Sequence, residues 1–307
     1  MTKVFIDGSA GTTGLRIVDR LSTREDLELL ILPEDLRKDP AARADALATA
    51  DIAFLCLPDD AAKESAALAQ GMQVKIIDTS TAHRVDPNWV YGMPELAGQR
   101  EKIAASNRIA NPGCHASGFV ALVAPLVQQG ILAPETALSC FSLTGYSGGG
   151  KKMIAEYEAD GRDPLLDGPR QYATGQTHKH LKEMVQISAL QNAPIFCPIV
   201  ADFYSGMEVT VPLFAKDIKG TAQDIRDLYA AYYTKGLIRY TDASDADGML
   251  SAAALAGRDD MEVSVFGNED RILLVSRFDN LGKGASGAAI QNMNILLGVD
   301  ETAGLEI

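Results

Sequence analysis

An α/β chain of two domains is predicted, on three observations. Over roughly the first hundred residues, short apolar runs alternate with helical stripes, the rhythm of a doubly wound parallel sheet with helices on both faces. From about residue 115 that rhythm stops. β-rich stretches then follow one another without a helix after each, as in the mainly antiparallel sheet of an α+β domain. The length, 307 residues, suffices for a well-buried core and two domains.

The elements follow in order. Val4-Phe5-Ile6 reads as the first strand, Gly8 to Gly14 as a tight turn, and Leu15, Val18 and Leu21 as the start of a helical stripe. Leu27 to Leu32 is a second strand closed by Pro33, and an Ala-rich helix follows around Ala41 to Ala48. Ile52 to Leu57 is a buried strand ending at Pro58, and a second Ala-rich helix from Ala61 to Gln70 leads to a strand at Val74 to Asp78. Phe119, Leu122, Val123, Leu126 and Val127 make the stripe of an amphipathic helix, which Pro125 is expected to kink. Strands of the second domain are expected within Thr136 to Thr144, Pro198 to Pro212 and Met261 to Phe278, with one helix at Ala222 to Tyr233. The final segment, Gly284 to Ile295, reads as a helix of small residues after a Gly-rich loop, and small residues permit close approach to backbone or to a cofactor.

Composition narrows the class. Hydrophobic residues at 47% and charged residues at 22% are ordinary for a globular protein, and no apolar run nears the length of a membrane span. The N-terminus reads straight into a strand rather than a signal peptide, and the four cysteines are scattered without a CxxC pair, so a cytoplasmic, reducing setting is expected. A net charge of −13 argues against nucleic-acid binding. It also requires that a site for an anionic substrate be locally basic.

Cys114 is the most informative residue. It follows Asn111-Pro112-Gly113 and directly precedes the stripe from Phe119, so the sulfur lands on the first turn of a helix. Unpaired N–H groups and the positive end of the helix dipole there favour a thiolate, the nucleophile suited to acyl transfer. A buried structural Cys is the alternative. His178-Lys179-His180 places two imidazoles two residues apart. No Asp, Glu or Cys at metal-ligand spacing supports them, so no metal is expected, and a proton-transfer partner for Cys114 is the better reading.

The turn Gly8-Ser9-Ala10-Gly11-Thr12-Thr13-Gly14 sits between first strand and first helix, where glycines let backbone approach a pyrophosphate. After the second strand, Glu34 and Asp35 suit a ribose hydroxyl, whereas Arg37 and Lys38 suit a 2′-phosphate. Residue types alone leave that choice open. Thr144 to Lys152 offers backbone donors, the Ser147 hydroxyl, Gly148 and the cations Lys151 and Lys152 to a phosphoryl group. Asp78-Thr79-Ser80-Thr81-Ala82-His83-Arg84 ends a sheet strand, where open α/β sheets bind ligands.

These runs, with Tyr91-Gly92-Met93-Pro94-Glu95-Leu96 and Lys283-Gly284 through Gln291-Asn292-Met293-Asn294, fall in one order along nearly the whole chain. In that order the chain resembles the N-acetyl-γ-glutamyl-phosphate reductases of the shorter bacterial type. It departs from their usual pattern in having Leu181-Lys182-Glu183 after the histidine pair and His115 where a Tyr is common. The resemblance implies a Rossmann-like dinucleotide-binding domain at 1–114, completed by a C-terminal helix at 283–307, and a catalytic, substrate and dimerisation domain at 115–282. It implies NADP(H) held by the Gly8 to Gly14 turn, Arg37, Lys38, Ser147, Gly148 and Asn280, and an acyl-phosphate substrate met by Ser80, Arg84, Asn111 and Lys151. Cys114 would be acylated, with His180 or His178 moving protons, in a homodimer or homotetramer. Two alternatives are an aspartate-semialdehyde dehydrogenase and a non-catalytic dinucleotide-binding sensor.

Overall fold

In the computed structural model, which describes residues 1–307, Val4-Phe5-Ile6 forms the centre of strand β1 (Thr2–Asp7). Then come α1 (Thr12–Leu21), β2 (Leu27–Leu30), α2 (Pro40–Thr49), β3 (Ile52–Leu55), α3 (Asp59–Leu68), β4 (Lys75–Asp78), β5 (Val90–Tyr91), α4 (Gln99–Ala104) and β6 (Arg108–Ala110). The second half contains α5 (Cys114–Gln128), β7 (Ser139–Gly145), α6 (Gly150–Tyr157), β8 (Arg170–Gln171), α7 (His180–Ile187), β9 (Ile195–Ala201) and β10 (Met207–Phe214). It closes with α8 (Ala222–Tyr232), β11 (Ile238–Tyr240), β12 (Met261–Gly267), β13 (Arg271–Phe278) and α9 (Gly287–Leu297). The chain divides into Met1–Gly113 with Ala285–Glu306, and Cys114–Gly284 with Ile307.

The first unit is a six-stranded sheet in the order β2-β1-β3-β4-β6-β5, parallel throughout. Alternation along β1 explains the two layers of helices. Val4 and Ile6 pack with Ile17 and Leu21 of α1 and with Ile290 and Met293 of α9, while Phe5 faces Leu47 of α2 on the other side. Strand β2 stops at Leu30, short of the expected Leu32, because its last partner is Phe5, and Ile31 is left exposed. The two-residue β5 is too short to carry a period and was not expected from the sequence. At the end of β1, buried Asp7 accepts from Arg43 Nε at 2.9 Å and Ser65 Oγ at 2.7 Å, which fixes the strand where the glycine turn begins.

The second unit is a seven-stranded sheet, β11-β12-β13-β10-β7-β9-β8. It is mainly antiparallel, with parallel pairs at β7–β9 and β11–β12. Helix α5 is apolar almost all round because it is buried almost all round. A Cβ on Gly118 would fall 2.6 Å from Ser276 Oγ and Val209 Cγ2, so glycine sets how closely α5 lies on the sheet. The helix continues through Pro125. Proline cannot donate to the carbonyl of Ala121, and the Tyr233 hydroxyl donates to it instead at 2.5 Å.

Candidate active site

Two of the three glycines that lead from β1 into the first turn of α1 are sterically required. Gly8 has φ +87°, and a Cβ there would lie 2.3 Å from the Cys56 carbonyl oxygen; on Gly14 it would lie 2.4 Å from the Gly8 oxygen. Gly11 meets nothing closer than 3.5 Å and serves as the N-cap of α1. No side chain caps α1 and no acid occupies its first turn. A close-packed turn feeding uncapped helix donors fits a pyrophosphate, so the residues present suit a dinucleotide. Beyond β2, Arg37 pairs with Glu34 and Lys38 is exposed.

The motif ending β4 is largely turned on itself. Ser80 Oγ donates to Asp78 Oδ2 at 2.8 Å and accepts from Ala82 N–H at 3.1 Å; His83 Nδ1 lies 2.6 Å from the same carboxylate, and its ring stacks on Trp89. Arg84 is buried and donates to the carbonyls of Asn111 and Thr79, both at 2.9 Å. Asn111 in turn donates to the Ala285 carbonyl at 2.9 Å and accepts from Asn292 Nδ2 at 3.2 Å. Asn292 also donates to the Gly92 carbonyl, and Gln291 donates to Glu95, both at 2.9 Å. The Tyr91 to Leu96 and Gln291 to Asn294 runs are thus partners. Together they hold the loop that leads to residue 113.

Cys114 is the first residue of α5, half-buried and not in a disulfide. The turn at Gly282 to Ser286 passes so near that a Cβ on Gly284 would fall 3.0 Å from the Cys114 Cβ. That turn is held by the Asp279 carboxylate, which accepts from Leu281 N–H at 2.6 Å, Gly282 N–H at 3.0 Å and Ser205 Oγ at 2.8 Å. The other thiols differ. Burial pushes Cys56 up to about 12 and Cys140 higher still, so neither is a thiolate at neutral pH.

His178 and His180 lie together, ring centroids 4.8 Å apart, and both meet the ring of His115, at 5.7 and 5.5 Å. Helix α7 starts at His180, and the stripe of Leu181, Met184, Val185 and Ile187 predicts a helix beginning near there. The His180 backbone N–H donates to His178 Nδ1 at 3.2 Å. A first-turn donor of α7 is thereby satisfied, and neutral His178 carries its proton on Nε2. Burial, then nearby Lys179, holds the His178 pKa below its ordinary value. Sequence reasoning missed three neighbours. Tyr172 and Ser142 contact His115 and carry no motif, whereas buried Glu183 stands three residues after His180 on the same helical face, a spacing the sequence does display.

Ser147 and Asn280 bond each other rather than facing solvent. Asn280 Nδ2 donates to Ser147 Oγ at 3.0 Å, and its Oδ1 accepts from Gly206 N–H at 2.9 Å. Gly148 and Lys151 are exposed beside them, Lys151 in the first turn of α6.

Comparison with known proteins agrees with this geometry. Residues 33–106 match the family profile "Semialdehyde dehydrogenase, NAD binding domain", and residues 114–280 match "Semialdehyde dehydrogenase, dimerisation domain". No helix is long and apolar enough to cross a membrane. Among solved structures, aspartate semialdehyde dehydrogenase II of Vibrio cholerae superposes with a TM-score of 0.73 at 18% identity, covering 97% of this chain and 98% of that one. The Candida albicans aspartate semialdehyde dehydrogenase with NADP gives 0.67 at 16% identity, covering 97% and 99%. At that identity the likeness is one of fold. N-acetyl-gamma-glutamyl-phosphate reductase 2 of Nostoc sp. is 45% identical over 318 residues, covering 99% of each chain. The Brucella ovis N-acetyl-gamma-glutamyl-phosphate reductase is 46% identical over 306 residues, covering 96% of this chain and 99% of that one. With a glycine turn that fits a dinucleotide, a helix-start cysteine whose chain neighbour His115 meets a histidine pair, and identity of this order from end to end, the chain belongs to the semialdehyde dehydrogenase family and, within it, to the N-acetyl-γ-glutamyl-phosphate reductases.

Proposed function

We propose that this protein reduces N-acetyl-γ-glutamyl phosphate to N-acetylglutamate semialdehyde and phosphate with NADPH, a step of arginine biosynthesis in the cytoplasm. The observation that carries the reading is Cys114 at the head of α5, next in the chain to His115, whose ring meets those of His178 and His180, in a chain that aligns end to end with reductases of that name. The Cys114 thiolate attacks the acyl carbon, the bond to the phosphate oxygen breaks, and phosphate leaves a thioester on Sγ. NADPH, when bound, supplies the hydride that reduces this thioester. Sulfur is suited to the task because a thioester accepts hydride far more readily than a carboxylate. The resulting hemithioacetal collapses to aldehyde and thiolate.

His180 takes the proton from Cys114 and gives it to the departing phosphate. The oxyanion left by hydride addition then collapses directly to aldehyde and thiolate. Glu183, one turn along α7, steadies the imidazolium. His178, with its proton on Nε2, donates to the substrate. Ser80, Arg84, Asn111 and Lys151 are assigned to the substrate, Ser80 and Asn111 by shaping the loop and Arg84 and Lys151 by charge. The Gly8 to Gly14 turn, Ser147, Gly148 and Asn280 are assigned to the dinucleotide. The test is phosphate-dependent NADP reduction with N-acetylglutamate semialdehyde, run beside aspartate semialdehyde. A preference for aspartate semialdehyde would replace this reading with its closest alternative, and activity with neither would leave a dinucleotide-binding sensor.

Arg37 and Lys38 carry the choice of NADPH over NADH. Charge reversal at both is expected to raise the half-saturating NADPH concentration about 10–100-fold, the scale of lost charge-assisted bonds, with little effect on NADH. Equal losses for both cofactors would remove these residues from the 2′-phosphate site.

A homodimer forms, on this reading, through the outer face of the second sheet. Register places Phe141, Ile195, Phe214 and Leu273 on one face, 41–61% exposed, opposite the face where α5 lies. Exposed apolar side chains grouped on one sheet face mark an association surface. Leu273→Asp is expected to halve the mass in sedimentation without unfolding the chain, and an unchanged mass would place the interface elsewhere.

A further inference from the structure

A net charge of −13 means that an anionic substrate needs cations placed for it, and one cation of the second unit stands without a matching anion. Arg170, on the edge strand β8, is partly exposed, but its Nε–H is buried with no hydrogen-bond partner. Its Nη2 donates only to the Tyr157 hydroxyl, at a long 3.4 Å, and its guanidinium carbon lies 5.6 Å from the centre of the Tyr157 ring. The carboxylates of that corner are taken. Arg162, which donates to the Tyr157 carbonyl, also donates to Asp202 at 2.9 Å and to Asp167 at 2.6 Å. A buried guanidinium N–H left open is costly, and a carboxylate that accepts from Nε–H and an adjacent Nη–H together is the partner its fork fits.

Strand register puts Arg170 on the face that carries the site. Gly118 of α5 abuts Val209 and Ser276, and His115 of α5 lies 2.6 Å, through Nδ1, from Ser142 Oγ, so these residues mark the α5 face of the sheet. Val209 pairs with Ser142, and Thr144, two residues on, shares its face. Thr144 pairs with Val200, and Val200 with Arg170. Tyr172, two residues beyond Arg170, shares that face too and brings its hydroxyl 2.6 Å from His115 Nε2. In the other direction the row runs from Thr144 through Met207 to Phe278. The Phe278 ring and the Cys114 Cβ both border Gly284, at 3.3 and 3.0 Å from a Cβ placed there. Arg170 and Cys114 thus lie over one face and one row of the sheet, with Arg170 set back at its edge.

We propose that Arg170 receives the α-carboxylate of the acyl substrate and so sets which acyl chains are accepted. The phosphoryl group is bonded to the carbon that Cys114 attacks and must lie beside the sulfur. The carboxylate is the remote anion, separated from that carbon by the methylenes and α-carbon of the glutamyl chain, and the set-back cation suits it. This deepens the reductase reading and rests on it.

The phosphate-dependent direction separates the two anions, because the semialdehyde and inorganic phosphate are supplied as separate substrates. Arg170→Gln is expected to raise KM for N-acetylglutamate semialdehyde about 10–100-fold, with kcat and KM for phosphate near wild type. Arg170→Lys, which keeps the charge without the fork, recovers part of that loss. The wild type prefers the free acid to its α-methyl ester, and Arg170→Gln loses the preference, a change that mere loosening of β8 would not produce. An unchanged KM for the semialdehyde in Arg170→Gln, or a rise confined to phosphate, overturns the proposal and leaves the reductase reading standing. A wild type that turns over no N-acetylglutamate semialdehyde removes the reductase reading, and this assignment with it.

Discussion

Cys114→Ser is expected to lose roughly 10³-fold or more of turnover while binding the dinucleotide as before. A serine hydroxyl at the head of α5 receives the same helix field but stays protonated at neutral pH, because its intrinsic pKa lies far above that of a thiol. The substitution is nearly isosteric and leaves the close approach of Gly284 to the Cys114 Cβ as it is. A stability change is therefore not expected to confuse the result. Steady-state rates and dinucleotide titration on the same preparation check both halves. Retention of a substantial fraction of activity would rule out covalent catalysis through this residue.

His180→Asn is expected to lower kcat by about 10²–10⁴-fold, the usual scale of general acid–base catalysis, with substrate affinity nearly intact. His178→Asn is expected instead to raise the half-saturating acyl phosphate concentration about tenfold with a smaller change in kcat. The asymmetry comes from one bond. With His178 Nδ1 accepting from the His180 backbone N–H, the remaining nitrogen of neutral His178 is a donor and has no lone pair to take a proton. The pH dependence follows with a definite sign. Because the His178 pKa lies below its ordinary value, the neutral ring that accepts from the His180 N–H persists into mild acid, so substrate affinity is expected to hold as pH falls through about 6.5. The base His180 must be neutral to act, and replacing it flattens the acidic limb of the rate profile. Near-normal kinetics in both variants would remove the pair from catalysis. His115, buried with both nitrogens bonded, is then no substitute base.

Much of this was legible in the sequence because period and punctuation survive without tertiary context. Val4 to Ile6 and Ile52 to Leu55 are apolar runs bounded by Gly and Pro, and a doubly wound sheet follows from their alternation with helices. The Cys114 helix start was readable from Pro112, Gly113 and the stripe after them, and a helix beginning near the histidine pair from Leu181, Met184, Val185 and Ile187. Contacts between distant segments were not readable. Nothing local in Ser142 or Tyr172 announces that each ends on a nitrogen of His115, 27 and 57 residues away. Asn292 likewise reaches Asn111 across 181 residues. The sequence shows three glycines from the end of β1 into the first turn of α1 but not which matter. Only the approach of the Cys56 carbonyl to Gly8 and of the Gly8 carbonyl to Gly14 separates those two from Gly11. Nor does the sequence around Pro125 announce that the distant hydroxyl of Tyr233 satisfies the carbonyl of Ala121.

The central claim is an acyl group carried on one sulfur. The most direct measurement is the mass of the protein and its peptides after incubation with N-acetyl-γ-glutamyl phosphate in the absence of dinucleotide, quenched in acid to preserve thioesters. The account predicts release of one phosphate per active chain and one N-acetylglutamyl group on the peptide containing Cys114, discharged as semialdehyde when NADPH is added. An unmodified Cys114 in a protein that turns over normally, or the acyl group on another residue, would contradict it.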